Sequence, residues 1–225
     1  MSRPIAPRRR GRDFTRNARH LLAIAGVLLL AACGAERRDQ PRGAGDGTIA
    51  VGDSAGTTPA APVRDTADVR VEVDIAARQV RVLAAAGDTI AVHPAAVGSP
   101  EWPTRPGTWT IDQVVLNPEW TPPDESWAEE REPRNPGDPK NPLGRAQLVY
   151  DLPRTIHGTN DPASVGKAVS HGSVRVTNDV AVALARLVLE RTGYAAVDSV
   201  LQRAGRDSTE KVVVALPKSV PIRVF

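Results

Sequence analysis

Valine at every second position is the strongest constraint this chain places on its own fold. Val69, Val71, Val73 and Ile75 alternate with Arg70, Glu72 and Asp74. A period of two puts one apolar and one polar face on a half-buried strand. Val80 and Val82 begin a second such run after a turn near 76–78, and 89–92 predicts a third after Gly87-Asp88, with His93 at its end as a surface histidine. Residues 98–107 are turn-rich, with Pro100, Pro103 and Pro106, and 108–115 alternates again with Trp109, Ile111 and Val114 or Val115 inward. Short strands are predicted at 147–150 and 155–157 on either side of a Pro153 turn, a strand-like step at Val174 and Val176, and closing strands at 211–216 and 220–225.

One helix interrupts the pattern. Val180, Leu184, Leu187 and Val188 follow the i, i+4, i+7, i+8 stripe of an amphipathic helix. Thr177 or Asn178 can cap it, Asp179 suits the positive end of its dipole, and Gly193 stops it after Arg191. A second helix is predicted from about Ala196, with Val197, Val200, Leu201 and Ala204 on one face and Gly205 as the stop, and 161–169 holds a candidate short helix. The fold class is mainly β with one or two helices. Between the strands, 117–143 is long and Pro-rich, with Trp120, Trp127 and a charged run at 129–134. A stretch of that length inside a domain is usually functional or disordered. Its tryptophans either stack on a ligand or pin the loop to the body.

Charge separates the N-terminus from the rest. Residues 1–32 hold seven Arg and one Asp, so the whole chain's +3 leaves residues 33–225 at −3. An acidic body gives no electrostatic footprint for nucleic acid. The Arg-rich start is followed by an uncharged apolar run at 21–32, whose 12 residues fit the core of an export signal and are short for a membrane span. The run ends Leu30-Ala31-Ala32-Cys33, which resembles a bacterial lipobox, so residues 1–32 read as a lipoprotein-type signal peptide with Cys33 acylated. An uncleaved anchor with an incidental cysteine is the other reading. Cys33 is the single cysteine, which excludes internal disulfides and thiolate metal sites. Residues 33–68, rich in Gly, Ala, Asp, Thr and Pro, lack the apolar content to offset their ordering entropy and read as a flexible tether.

The chemistry concentrates in 155–176. His157-Gly158 is followed by Ser170-His171-Gly172-Ser173 and then Arg175. A base, a hydroxyl and a glycine-bearing turn within one short segment are what a covalent acyl-transfer site needs. No His/Cys cluster with ligand spacing is present, so no metal is expected, and no glycine-rich phosphate loop points to a cofactor. Ser164 and Lys167 fit S-x-x-K, but the companion motifs of that class are absent, and Ser173 lacks the second glycine of a G-x-S-x-G elbow.

This block resembles the signature of the L,D-transpeptidase (YkuD-type) catalytic domain: His-Gly, a spacer of a dozen or so residues, Ser/Thr-His-Gly-Cys, and usually an Arg two places on. Ser173 stands where the family has its cysteine. The step Pro106-Gly107-Thr108-Trp109 resembles the family's entry into a core strand, and 117–123 and 141–144 resemble the loop flanking its substrate cleft. The resemblance implies an L,D-transpeptidase-like β-sandwich over residues 69–225 that acts on peptidoglycan stem peptides. There a thiolate attacks the carbonyl after meso-diaminopimelate or L-lysine, and an amine resolves the thioester. It implies His157 as proton acceptor and donor, His171 as the group that orients the turn, and backbone N–H groups at Gly172 and Ser173 for the oxyanion. Gly158, Ser170 and Arg175 would bind substrate or brace the turn, with bracing favoured for Arg175. A serine hydroxyl is not ionised near neutral pH, so it needs a base in contact. Three readings of Ser173 stand: a working oxygen nucleophile, an inactive remnant that still holds stems, or a changed reaction such as hydrolysis. The expected setting is the cell envelope, with the lipid at Cys33 in the membrane and the domain facing periplasm or wall. The alternative is a catalytically silent, peptidoglycan-binding lipoprotein.

Overall fold

The computed structural model describes residues 66–225. The expected signal peptide, Cys33 and nearly all of the expected tether lie outside the described residues. Thr66 and Ala67, the last part of the expected tether to be seen, already pair with Ser219 at the sheet.

Each alternating run becomes a strand. β1 (Val69–Asp74), β2 (Gln79–Ala84) and β3 (Thr89–Pro94) form an antiparallel meander. β4 (Val97–Gly98) is short, and β5 (Gly107–Leu116) is the long central strand. β6 (Ala146–Asp151) and β7 (Arg154–His157) form a hairpin, followed by β8 (Ala168–Ser170) and β9 (Val174–Arg175). Helices α1 (Asn178–Arg191) and α2 (Val197–Arg206) precede the last strand, β10 (Val212–Val224). The main sheet has eight strands in the order β3-β2-β1-β10-β5-β6-β7-β9, and β4 pairs with β8 apart from it. The pairings β1/β10 and β7/β9 are parallel. The molecule is mostly β, with two helices and a curled sheet.

Sheet alternation decides where everything else goes. Across β5, β6, β7 and β9 the registered row Val114–Leu148–Ile156–Val174 points to one face, and all four side chains are fully buried. α1 packs on that face through Ala181, Leu184, Ala185, Val188 and Leu189. The buried stripe is rotated slightly from the sequence expectation: Val180 and Leu187 are only partly buried at its edges, and the small Ala181 and Ala185 sit at its centre. Small side chains there let the helix approach the sheet closely. Thr177 is the cap, accepting from the Val180 N–H, and Gly193 ends the helix at φ +79°.

Three sequence expectations change. The closing segments are one strand, β10, whose register shifts between Ala215 and Val220. Pro217 lacks an N–H for the ladder, which mimics a strand end in the sequence. α2 runs through Gly205 to Arg206, and the candidate helix at 161–169 is a single 3-10 turn, Pro162–Ser164, leading into β8.

Candidate active site

The face of the sheet opposite α1 forms the floor of a groove. The registered residues of the other parity are Val213, Val115, Gln147, His157 and Arg175, drawn from five adjacent strands. All five line one cavity of about 960 Å³, together with Ser170, His171 and Ser173. The same period of two that fills the core therefore places His157 and Arg175 side by side on the floor. Three of the large apolar side chains most exposed among the described residues, Leu152, Val169 and Val213, also line it.

His157 is 4% exposed, and its Nδ1 lies 2.6 Å from the Gly158 carbonyl oxygen. That carbonyl only accepts, so Nδ1 carries the proton and Nε2 is left as the basic nitrogen. Burial lowers the His157 pKa to about 4, against the raising effect of the Gly158 hydrogen bond, with Arg175 lowering it further. The imidazole is therefore neutral at pH 7. Ser173 lies just before β9, and its Oγ accepts from the Thr155 N–H at 3.3 Å. That hydrogen bond uses a lone pair and leaves the hydroxyl proton free. Among the described residues, no hydrogen bond joins Ser173 Oγ to either imidazole.

The turn that carries Ser173 is held from several sides. Gly172 has φ +95°, a conformation that costs a side-chain-bearing residue about 1–2 kcal/mol. Its carbonyl accepts from Thr104 Oγ1 at 3.0 Å, and Thr104 Oγ1 in turn accepts from the Gly98 N–H at 2.8 Å. Ser170 Oγ donates to the Ser173 carbonyl. Gly158 is needed for a different reason: a Cβ there would come within 2.3 Å of Asn178 Oδ1, at the start of α1.

The Pro-rich stretch forms a wall of this groove. Trp127, on a 3-10 turn at Ser126–Ala128, stacks on His171 with ring centroids 4.0 Å apart and planes 14° apart. Trp102 meets the same imidazole at 6.1 Å. Glu125 ties the wall to the floor: it accepts from Trp127 Nε1 at 2.8 Å and from Arg154 Nη2 at 3.2 Å. Both loop tryptophans line the groove; Trp127 is also held against His171, and Trp120 bridges to Arg134. His171 has its pKa lowered by partial burial, then by Arg175 and Arg131.

Arg175 pairs through its backbone with Ala96. Among the described residues its guanidinium forms no ion pair, and burial lowers its pKa against the opposing effect of the Asp161 charge. Ser164 of the S-x-x-K match turns its hydroxyl to the Asp161 carbonyl at 2.6 Å, away from the groove. Sequence reasoning missed Glu125, Arg154, Gln147 and Thr104. Gln147 was findable as the polar member of an alternating strand; the other three act through contacts between distant segments. Among the described residues, no three of His, Cys, Asp and Glu cluster as metal ligands would.

Comparison with known proteins adds to this geometry. The family model described as YkuD, L,D-transpeptidase catalytic domain, matches residues 68–214, well over half of the chain. The probable L,D-transpeptidase YbiS of Escherichia coli K12 is 36% identical over 100 residues, covering 41% of this chain and 32% of that protein. The chain thus spans about a third of the length of that relative. Among solved structures, an L,D-transpeptidase from Mycobacterium smegmatis is 19% identical with a TM-score of 0.45, covering 71% of this chain and 59% of the other. L,D-transpeptidase 3 from Mycobacterium tuberculosis is 14% identical with a TM-score of 0.45, covering 71% and 61%.

Proposed function

The chain belongs to the L,D-transpeptidase catalytic domain family, and from that premise we propose that it performs peptidoglycan acyl transfer on stem peptides through a Ser/His site. Ser173 stands where the family has cysteine. Its Oγ attacks the carbonyl carbon of the stem peptide bond, and its proton passes to His157 Nε2. The C–N bond breaks, the departing amine takes that proton, and an ester remains on Ser173. The amine of a second stem then attacks the ester. It gives up a proton through His157, and the serine hydroxyl is restored as the new amide forms. Backbone N–H groups at the Gly172–Ser173 turn would receive the oxyanion.

The observation that carries this reading is the buried, neutral His157 on the floor of the groove that Ser173 also lines. Serine needs a base that is unprotonated at working pH, and burial keeps His157 so while lowering its basicity. The lipobox residues at 30–33 support lipid attachment at Cys33, and hence a place at the cell envelope with the domain facing periplasm or wall.

A silent stem-holding module is the second reading, favoured by the missing hydrogen bond between Ser173 Oγ and an imidazole. Incubation of the full-length protein with a tetrapeptide stem separates the two. Release of the terminal amino acid, lost in Ser173→Ala and accelerated in Ser173→Cys, supports the enzyme. Stem binding with no release in either the native protein or Ser173→Cys supports the module.

A further inference from the structure

Arg154 makes contacts that the proposed chemistry does not use. It opens β7, ahead of His157 on the same strand, and its side chain lies against the turn that carries Ser173. A Cβ at Gly172 would come within 3.2 Å of Arg154 Nε and 3.6 Å of its Cδ, so the bare glycine leaves the space that this side chain fills. The next residue holds the same turn through its backbone, the Thr155 N–H donating to Ser173 Oγ at 3.3 Å. From Gly172 the contacts run on without a break. Arg154 Nη2 donates to Glu125 Oε1 at 3.2 Å, Glu125 Oε2 accepts from Trp127 Nε1 at 2.8 Å, and Trp127 stacks on His171 with centroids 4.0 Å apart. His171 is bonded to Gly172, so the circuit closes on the turn from which it started. It joins three separate segments of chain, and the side chains of Glu125, Trp127, Arg154 and His171 all line the groove.

Stability alone does not account for this arrangement. The Arg154 and Glu125 side chains are only 19% and 21% exposed, yet among the described residues Arg154 Nε is buried with no hydrogen-bond partner. An orphaned buried donor is unfavourable, so the guanidinium sits against Gly172 although that place leaves one of its donors unmet. Arginine suits the position because its stem covers the turn while its head reaches a carboxylate. Misplacing a reacting group by about 1 Å can cost about a hundredfold in rate. We propose that Arg154 is a positioning residue: it covers the Gly172 turn and, through Glu125 and Trp127, locks that turn to the groove wall, so that Ser173 and His171 keep one geometry for acyl transfer. The inference rests on the reading that position 173 carries the nucleophile.

The test follows acylation of the full-length protein by a carbapenem, read by intact mass against time and concentration, in the native protein and in Ser173→Cys. Arg154→Gln lowers the limiting acylation rate about tenfold and changes the half-saturating concentration by less than about twofold, with the urea midpoint nearly unchanged. Glu125→Ala has the same effect, and the double variant is no slower than the slower single, because the two residues act as one unit. Independent contributions would multiply to about a hundredfold and overturn the circuit. A rate loss that tracks a lowered urea midpoint overturns the positioning role, as does an unchanged rate. Hydrogen exchange reads the same contacts with no acylation: Arg154→Gln speeds exchange at 124–130 and 169–175 and leaves the rest of the sheet as it was. Acylation confined to Ser173→Cys overturns the serine reading while the inference is decided on that background. If neither form acylates, the acyl-transfer reading fails, and unchanged exchange at 169–175 overturns the inference as well.

Discussion

At the scale of single residues, His157 links stability to chemistry. Buried and neutral, it takes its proton in the folded state only near pH 4, whereas the unfolded chain takes one near 6.5. Its contribution is therefore complete above pH 6.5, declines as pH falls toward 4, and declines no further below that; the loss is roughly 3 kcal/mol. Urea midpoints measured across pH 7 to 4 should fall, and His157→Gln should flatten that fall. The same shift puts the acid limb of kcat/KM well below pH 6.5. Asn117 is a second residue-scale case, in the left-handed region at φ +46°. Its amide donates toward the Ala204, Asp207 and Glu210 carbonyls at 2.9 to 3.1 Å, and it accepts from Arg145 Nε, so it closes the end of α2. Asn117→Ala removes the amide shared by these three carbonyls, of which Ala204 keeps the Arg145 Nη2 donor, and should cost about 1–2 kcal/mol, read as a lowered midpoint with unchanged denaturant slope.

At the scale of elements, the wall formed by 117–143 is fastened beside the site through Glu125 and Trp127. Trp127→Ala should lower turnover about tenfold while changing global stability by less than about 1 kcal/mol, because a loop contact opens independently of the sheet. Trp127→Phe, which keeps a stacking ring, should restore most of it; a parallel loss of stability and turnover would mark Trp127 as merely structural. This fastening was invisible in the sequence, since Trp127 and His171 lie far apart in the chain. The strands were legible because period two is local. α1 was legible because Thr177, the apolar stripe and Gly193 all lie within one segment. β10 was misread as two strands because Pro217 looks like a terminator, and only the partner strand β5 reveals that pairing resumes at Val220. The motif residues stood out by resemblance, but only the sheet register places Arg175 beside His157 on the groove floor.

At the scale of the whole molecule, a single sheet divides two tasks between its faces. One packs on α1 and carries the stability; the other, in the same strands, forms the groove. Outside the described residues, the proposed lipid at Cys33 has its own consequence. Cys33→Ser should move the protein from the membrane fraction to the soluble envelope fraction, with no change in turnover by the purified protein; continued membrane association would count against the lipid. The central claim is that Ser173 forms a covalent ester with its acyl donor. Intact mass spectrometry of the full-length protein with saturating carbapenem tests it most directly. A gain of one ligand mass, mapped by digestion to Ser173 and absent in Ser173→Ala, is the predicted result; an unchanged mass, or an adduct that survives Ser173→Ala, would contradict it.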